Sequence, residues 1–158
     1  HDREHLQSLG DIAWVVMTNS DHIRDGQAIA AWSGAKLAAP AGEQGTWPFS
    51  CDRWLADGDT LVPGLQAFAM DGSKTPGELV LLIGDHTLVT GDLIRAHRGG
   101  SLMLLPDPKL SDRAAAVASV RRLAEHTGPS AVLVGDGWHV FRDGAARMQE
   151  LVASLVVS

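Results

Sequence analysis

Ile12-Ala13-Trp14-Val15-Val16-Met17-Thr18-Asn19-Ser20-Asp21-His22 is the stretch on which the fold turns. Its first six residues are apolar at every position rather than at alternate ones. A strand with one wet face alternates, so an unbroken apolar run predicts a strand covered on both faces, as in the centre of an α/β sheet. The polar run Thr18 to His22 ends it. A helix is predicted from His22 to Trp32, stopped by Gly34, and then a short strand from Lys36 to Ala38. Strand, helix and strand in succession predict a parallel crossover.

Outward from this unit, Asp2 to Leu9 reads as a short helix closed by Gly10. Gly42 to Asp59 reads as a turn-rich loop holding Trp47 and Trp54. Three closely spaced strands follow, Leu65 to Met70, Glu78 to Ile83 and His86 to Thr90, the last two joined by the turn dipeptide Gly84-Asp85. Leu110 to Glu125 is a predicted helix with Ser111 as N-cap and Ala115, Val117, Ala118, Val120 and Leu123 as its apolar stripe. Ala131 to Val134 is a buried strand, and Arg142 to Val157 a closing helix. No repeat, low-complexity tract or linker divides the chain, so residues 1–158 are expected to form one domain.

Composition narrows the function classes. The net charge is −6 and the 13 Lys and Arg residues are scattered, which argues against a nucleic-acid groove or an anionic membrane surface. The longest apolar runs are far too short to span a bilayer. Cys51 is the single cysteine, so no internal disulfide exists. That fits a reducing compartment. The start has neither a basic region followed by a signal-like apolar stretch nor an initiator Met. The expected location is the cytoplasm.

Chemistry in α/β sheets collects beyond the carboxyl ends of strands. Four predicted strands end in polar residues of interest: Asp21 and His22 after the first, Lys74 after Met70, Asp92 after Thr90, and Asp136 and His139 after Val134. Each acid alone is an ordinary cap or turn former. Their order carries more information than any one of them. From about Ile12 to Gly144 the chain resembles the metallo-β-lactamase superfamily, which includes glyoxalase-like, lactonase-like and thioesterase-like hydrolases. The family pattern of an apolar strand, T-H-x-H-x-D-H, a helix and a G-A-P strand is matched by W-V-V-M-T-N-S-D-H-I-R-D-G and S-G-A-K-L-A-A-P. Its D-G-D loop resembles Asp57-Gly58-Asp59, and its G-H-T-P-G-S turn resembles G-S-K-T-P-G-E. Its T-G-D strand end resembles Val89 to Asp92, and its terminal P-G-H-G resembles Val134 to Gly137.

The resemblance implies an αββα sandwich with one mixed sheet per half, lacking in this sequence the strands with which the family's sandwich opens. An unpaired sheet edge left by them would need covering, for instance by a second subunit in a homo-oligomer. The departures bear on function. Asn19 stands where the first histidine of the motif would be, Lys74 where a later ligand would be, and Asp136 where the last histidine would be. One metal position loses all three of its histidines. The other retains Asp21, His22, Asp92 and Asp136 as implied ligands, a hard donor set expected to hold one divalent ion (Mn, Fe, Mg or Zn) or none.

Two functions follow. The first is a metal-dependent hydrolase of an ester, thioester or lactone, with Asp92 and Lys74 as catalytic residues. It works through one metal at Asp21, His22, Asp92 and Asp136, whose bound water attacks the carbonyl. In it Lys74, or an arginine of the segment Arg95, His97 and Arg98, stabilises the anion formed, and that segment contacts an anionic small-molecule substrate. The second is a catalytically inactive, metal-free descendant serving as a binding or assembly domain. In the plainest reading of the residues, Asp21 caps the helix after the first strand, while Asp92 and Asp136 are turn acids, one of them paired with Lys74. A Lys74 ammonium is expected within about 4 Å of Asp21, Asp92 or Asp136, because carboxylates facing one crevice require a cation.

Overall fold

The computed structural model describes residues 2–155. Helix α1 (Asp2–Leu9) leads into strand β1 (Trp14–Val16), and helix α2 (Gly26–Ser33) crosses to strand β2 (Lys36–Pro40). Strand β3 (Arg53–Leu55) completes a sheet of order β1-β2-β3, parallel throughout. Strands β4 (Thr60–Val62), β5 (Leu65–Met70), β6 (Glu78–Ile83) and β7 (Thr87–Val89) form an antiparallel meander. Strand β8 (Ile94–Arg98) and strand β9 (Ser101–Leu104) make a separate hairpin. Helix α3 (Arg113–His126), strand β10 (Ala131–Leu133) and helix α4 (Gly144–Ser154) close the described chain. Strand β10 joins the meander parallel to β7, giving the order β10-β7-β6-β5-β4.

Side-chain alternation sorts these elements into layers. Along β2, Leu37 and Ala39 pack with Met17, Ala30 of α2 and Trp47. The intervening Ala38 points the other way, against Leu55, Ala67, Leu79 and Leu81. Along β6, Leu79 and Leu81 face the first sheet, while Val80 and Leu82 face a cluster containing Val117, Val120 and Leu123 of α3 and Met148 and Leu151 of α4. Each buried valine, leucine or methionine among these contributes roughly 1.5–3 kcal/mol relative to exposure, and each alanine less. Helix, sheet, sheet and helices thus stack as an αββα sandwich. The unbroken apolar run of β6 is explained by burial on both faces.

Several local expectations are corrected. Helix α2 begins at Gly26 rather than His22. Ser20–His22 winds instead as a 3₁₀ turn capped by the Asn19 side chain, and Arg24 takes a left-handed φ of 37° that interrupts helical geometry. The segment expected as a loop from Gly42 to Asp59 contains β3, whose three residues are too few to show a periodicity. The segment after Asp92, expected as a loop, forms β8 and β9; polar Arg95, His97 and Arg98 masked a strand whose inner residues are Ile94 and Ala96. The first sheet is parallel rather than mixed. Asp112, not Ser111, caps α3, accepting from the Ala115 amide at 3.0 Å. Helix α4 starts at Gly144 instead of Arg142, and the end expected at Val157 lies outside the described residues. The Gly84-Asp85 hairpin is present, with φ of 56° and 59°, the two positive values that a tight twisted turn requires. No helix among the described residues is long and apolar enough to cross a membrane.

Candidate functional site

The loops after β1, between β5 and β6, and after β7 meet at one end of the sandwich. The Leu79 amide donates to the Thr18 carbonyl at 2.8 Å, tying the end of one sheet to the other. Asn19 is fully buried. Its Oδ1 accepts from the Asp21 amide at 3.0 Å, and its Nδ2 donates to Asp92 at 3.2 Å and Glu78 at 3.4 Å. Lys74, reaching in from the β5–β6 loop, puts Nζ 2.6 Å from Asp21 Oδ2 and 2.9 Å from Asp92 Oδ2. His22 Nε2 lies 3.2 Å from Asp92 Oδ1. The two oxygens of Asp92 therefore serve an ammonium, an imidazole and an amide.

Electrostatics follow from this geometry. Burial pushes the Asp92 carboxyl up, but Lys74, His22 and Asn19 together outweigh it and hold it below the ordinary aspartate value. The Lys74 ammonium is raised, first by its hydrogen bond to Asp21, against opposing desolvation, and then by Asp92. Deeper in, Glu78 is fully buried and accepts from the Ser73 hydroxyl at 2.6 Å and the Leu93 amide at 2.7 Å. Burial nevertheless pushes its carboxyl up to about 7, with Asp92 adding to the effect. Gly91 makes room for it: a Cβ there would lie 2.9 Å from Glu78 Oε1. Glu43, also fully buried, accepts from Ser20 Oγ and Trp47 Nε1, each at 3.0 Å.

Of the residues expected at the site, Asp21, His22, Lys74 and Asp92 come together. Asp136 does not join them. Its carboxylate pairs with the guanidinium of buried Arg95 and lies 3.1 Å from His97 Nε2. A long-range pairing directs it there: the Ala96 amide donates to the Asp136 carbonyl at 3.1 Å and the Trp138 amide to the Ala96 carbonyl at 2.7 Å, seating the segment after β10 along β8. Arg95 and His97 are correspondingly engaged with Asp136, while Arg98 lies exposed at the end of β8. His139 accepts from the Val134 amide at 3.2 Å and packs on Phe141. Sequence reasoning passed over Glu78, Ser73 and Thr18. A lone carboxylate opening the apolar run Glu78 to Ile83 was the signal available for the first of these.

A divalent ion does not fit this arrangement. The space between Asp21 and Asp92 is taken by the Lys74 ammonium, in contact with both carboxylates. Among the described residues no three His, Cys, Asp or Glu side chains are placed to hold a metal. Lys74→Met should lower stability by about 1–2 kcal/mol at neutral pH. That is less than a wholly buried pair would cost, since Lys74 and Asp21 side chains are 32% and 50% exposed and solvent screens part of the interaction. Exposed Lys109→Met is the control, expected within roughly 0.5 kcal/mol of wild type. Equal urea midpoints for the two variants would show that the Lys74 contacts contribute nothing.

In the comparisons with known proteins, a family model described as the metallo-beta-lactamase superfamily matches residues 1–155. Among solved structures, the BLEG-1 B3 metallo-beta-lactamase superposes with a TM-score of 0.74 at 14% identity, covering 99% of this chain and 83% of that one. The metallo-beta-lactamase from Pontibacter korlensis gives a TM-score of 0.67 at 15% identity, covering 92% of this chain and 70% of that one. No curated protein matches the chain in sequence. At these identities the structural likeness establishes the sandwich, and the family model establishes descent: the chain belongs to the metallo-beta-lactamase superfamily.

Proposed function

We propose that this chain is a metal-free member of the superfamily, a binding domain whose crevice takes a small ligand and whose polar cluster is held by a fixed ammonium. The observation that carries the reading is Lys74 Nζ seated between Asp21 and Asp92 at 2.6 and 2.9 Å. A lysine supplies the positive charge that adjacent carboxylates require, but it cannot polarise and ionise water as a Lewis acid does. The charge balance is thereby covalently attached to the chain and independent of metal supply.

Elemental analysis after purification without added metal should find far less than one equivalent of zinc, manganese or iron. Melting temperatures should be unchanged by Mn, Zn or a chelator, because an ion with no affinity for the folded state cannot stabilise it. A stoichiometric metal, or a metal-induced rise in melting temperature that disappears in Asp92→Asn, would overturn this reading.

A further inference from the structure

Thr18, His22 and Asp92 stand in a hydroxyl, imidazole and carboxylate row. Thr18 Oγ1 lies 3.2 Å from His22 Nδ1, and His22 Nε2 lies 3.2 Å from Asp92 Oδ1. An ionised carboxylate can only accept, so Nε2 carries the hydrogen. On the neutral ring Nδ1 is then the acceptor for the Thr18 hydroxyl. Asp92 is braced by Lys74 and Asn19, so it fixes the ring's tautomer and orientation. The Thr18 backbone is pinned in turn by the bond from the Leu79 amide.

Thr18 and His22 of this row line an open cleft of about 260 Å³ at the ends of β1 and β7, together with Arg24, Thr90 and the apolar Val16, Met17 and Val89. Asp92 stands behind the imidazole. Arg24 lines it with the left-handed backbone noted above, a conformation that a non-glycine residue holds only where its surroundings enforce it. Gly135 forms another wall. A Cβ there would lie 2.9 Å from the Gly91 carbonyl oxygen and 3.1 Å from His22 Cε1, so a side chain at this position would press on both the backbone and the ring.

We propose that Thr18 is the nucleophile of a metal-independent hydrolysis of small esters bearing a short acyl chain, with His22 as general base and Asp92 as its positioning residue. The proposal rests on the metal-free reading above and names the ligand class of the crevice. Thr18 Oγ1 attacks the ester carbonyl carbon while His22 Nδ1 takes the hydroxyl proton. The bond from that carbon to the leaving oxygen then breaks, and His22 returns the proton to the departing alcohol. Water adds to the resulting acyl-threonine, giving one proton to Nδ1. The acyl–Oγ1 bond breaks, and the proton passes back to Thr18. The products are one acid and one alcohol. Arg24, which also lines the cleft, is the cation assigned to stabilise the charge that develops on the carbonyl oxygen. Three apolar walls and the modest volume favour a short acyl group.

The test uses chelator-treated full-length chain and p-nitrophenyl acetate. Wild type should release a burst of p-nitrophenolate, and mass spectrometry should find one acetyl group on the peptide containing Thr18. Thr18→Ala should lose roughly 100-fold or more of the rate, and so should His22→Gln. Thr18→Ser, which keeps the hydroxyl, should retain activity. Turnover by wild type no faster than buffer would overturn the proposal, as would folded Thr18→Ala with wild-type turnover, or acetyl carried on another residue. Activity present only with added Zn or Mn and abolished by chelator would instead sink the metal-free reading. Chelator-insensitive activity that survives Thr18→Ala would sink the nucleophile alone.

Discussion

Asp92→Asn should lower the unfolding free energy by about 2–4 kcal/mol at neutral pH, the largest loss expected from any single neutralisation in the cluster. Its side chain is only 9% exposed and answers Lys74, His22 and Asn19 at once. An asparagine keeps one oxygen to accept, but its amide would face either the imidazole N–H or the ammonium, donor against donor. Had the acids crowded together with no cation, the same change would relieve repulsion and stabilise the fold. The seated Lys74 reverses that sign. Acid titration adds a second reading: because the folded Asp92 carboxyl is held low, its contribution is present above the ordinary carboxylate range and is lost as pH falls through its folded value. Urea unfolding of both proteins at neutral and acid pH measures this. An Asp92→Asn midpoint equal to wild type, with the same acid slope, would show the carboxylate to be idle.

Glu78 should impose the opposite slope. Its folded carboxyl is raised to about 7, above the value of an exposed glutamate, so the folded state holds a proton that the unfolded chain has released. Stability is therefore full below the unfolded value and is lost as pH rises through 7, by about 3 kcal/mol in all. Glu78→Gln removes the titration. The variant should fall below wild type near pH 4.5, because its amide meets the donors around it. Its stability relative to wild type should rise by about 3 kcal/mol between about pH 4.5 and pH 8. The three donors around Glu78 do not cancel this, because full burial is the larger effect. Chemical denaturation of both proteins across that pH range decides it. Parallel pH profiles would mean that Glu78 is ionised throughout.

What was legible in the sequence had its cause nearby in the chain. The apolar run Ile12 to Met17 announced a strand but not its place, because strand order is set by pairing and not by the run itself. Strand β1 lies at the edge of its sheet with Trp14, Val15 and Val16 only half-buried, Val15 packing on one face and Trp14 and Val16 on the other. Gly84-Asp85 announced its turn because the needed φ values are local. Lys74 could be placed against carboxylates because the resemblance put its turn at the crevice and charge balance called for a cation there. Asp136 could not be placed, because its direction is set by the pairing of the segment after β10 with β8, a contact across some forty residues of chain. Strand β3 owes its existence to the same kind of long-range pairing, with β2. Glu78 reads as an ordinary strand-opening residue until the loop holding Ser73 and the amide of Leu93 are folded around it.

The fit of Gly91 against Glu78 also constrains the order in which substitutions could accumulate. With Glu78 present, a side chain at position 91 would collide with Oε1 at 2.9 Å, so that position tolerates no Cβ without a shift of the glutamate. A residue at 78 as short as alanine would remove the three nearest atoms that such a Cβ meets. A glutamate could therefore enter only while position 91 was glycine, and once in place it locks that glycine behind it. Reversal is likewise ordered: position 78 must shrink before position 91 can grow. The two positions are thereby coupled in both directions, through a contact between a carboxylate oxygen and a missing methyl group.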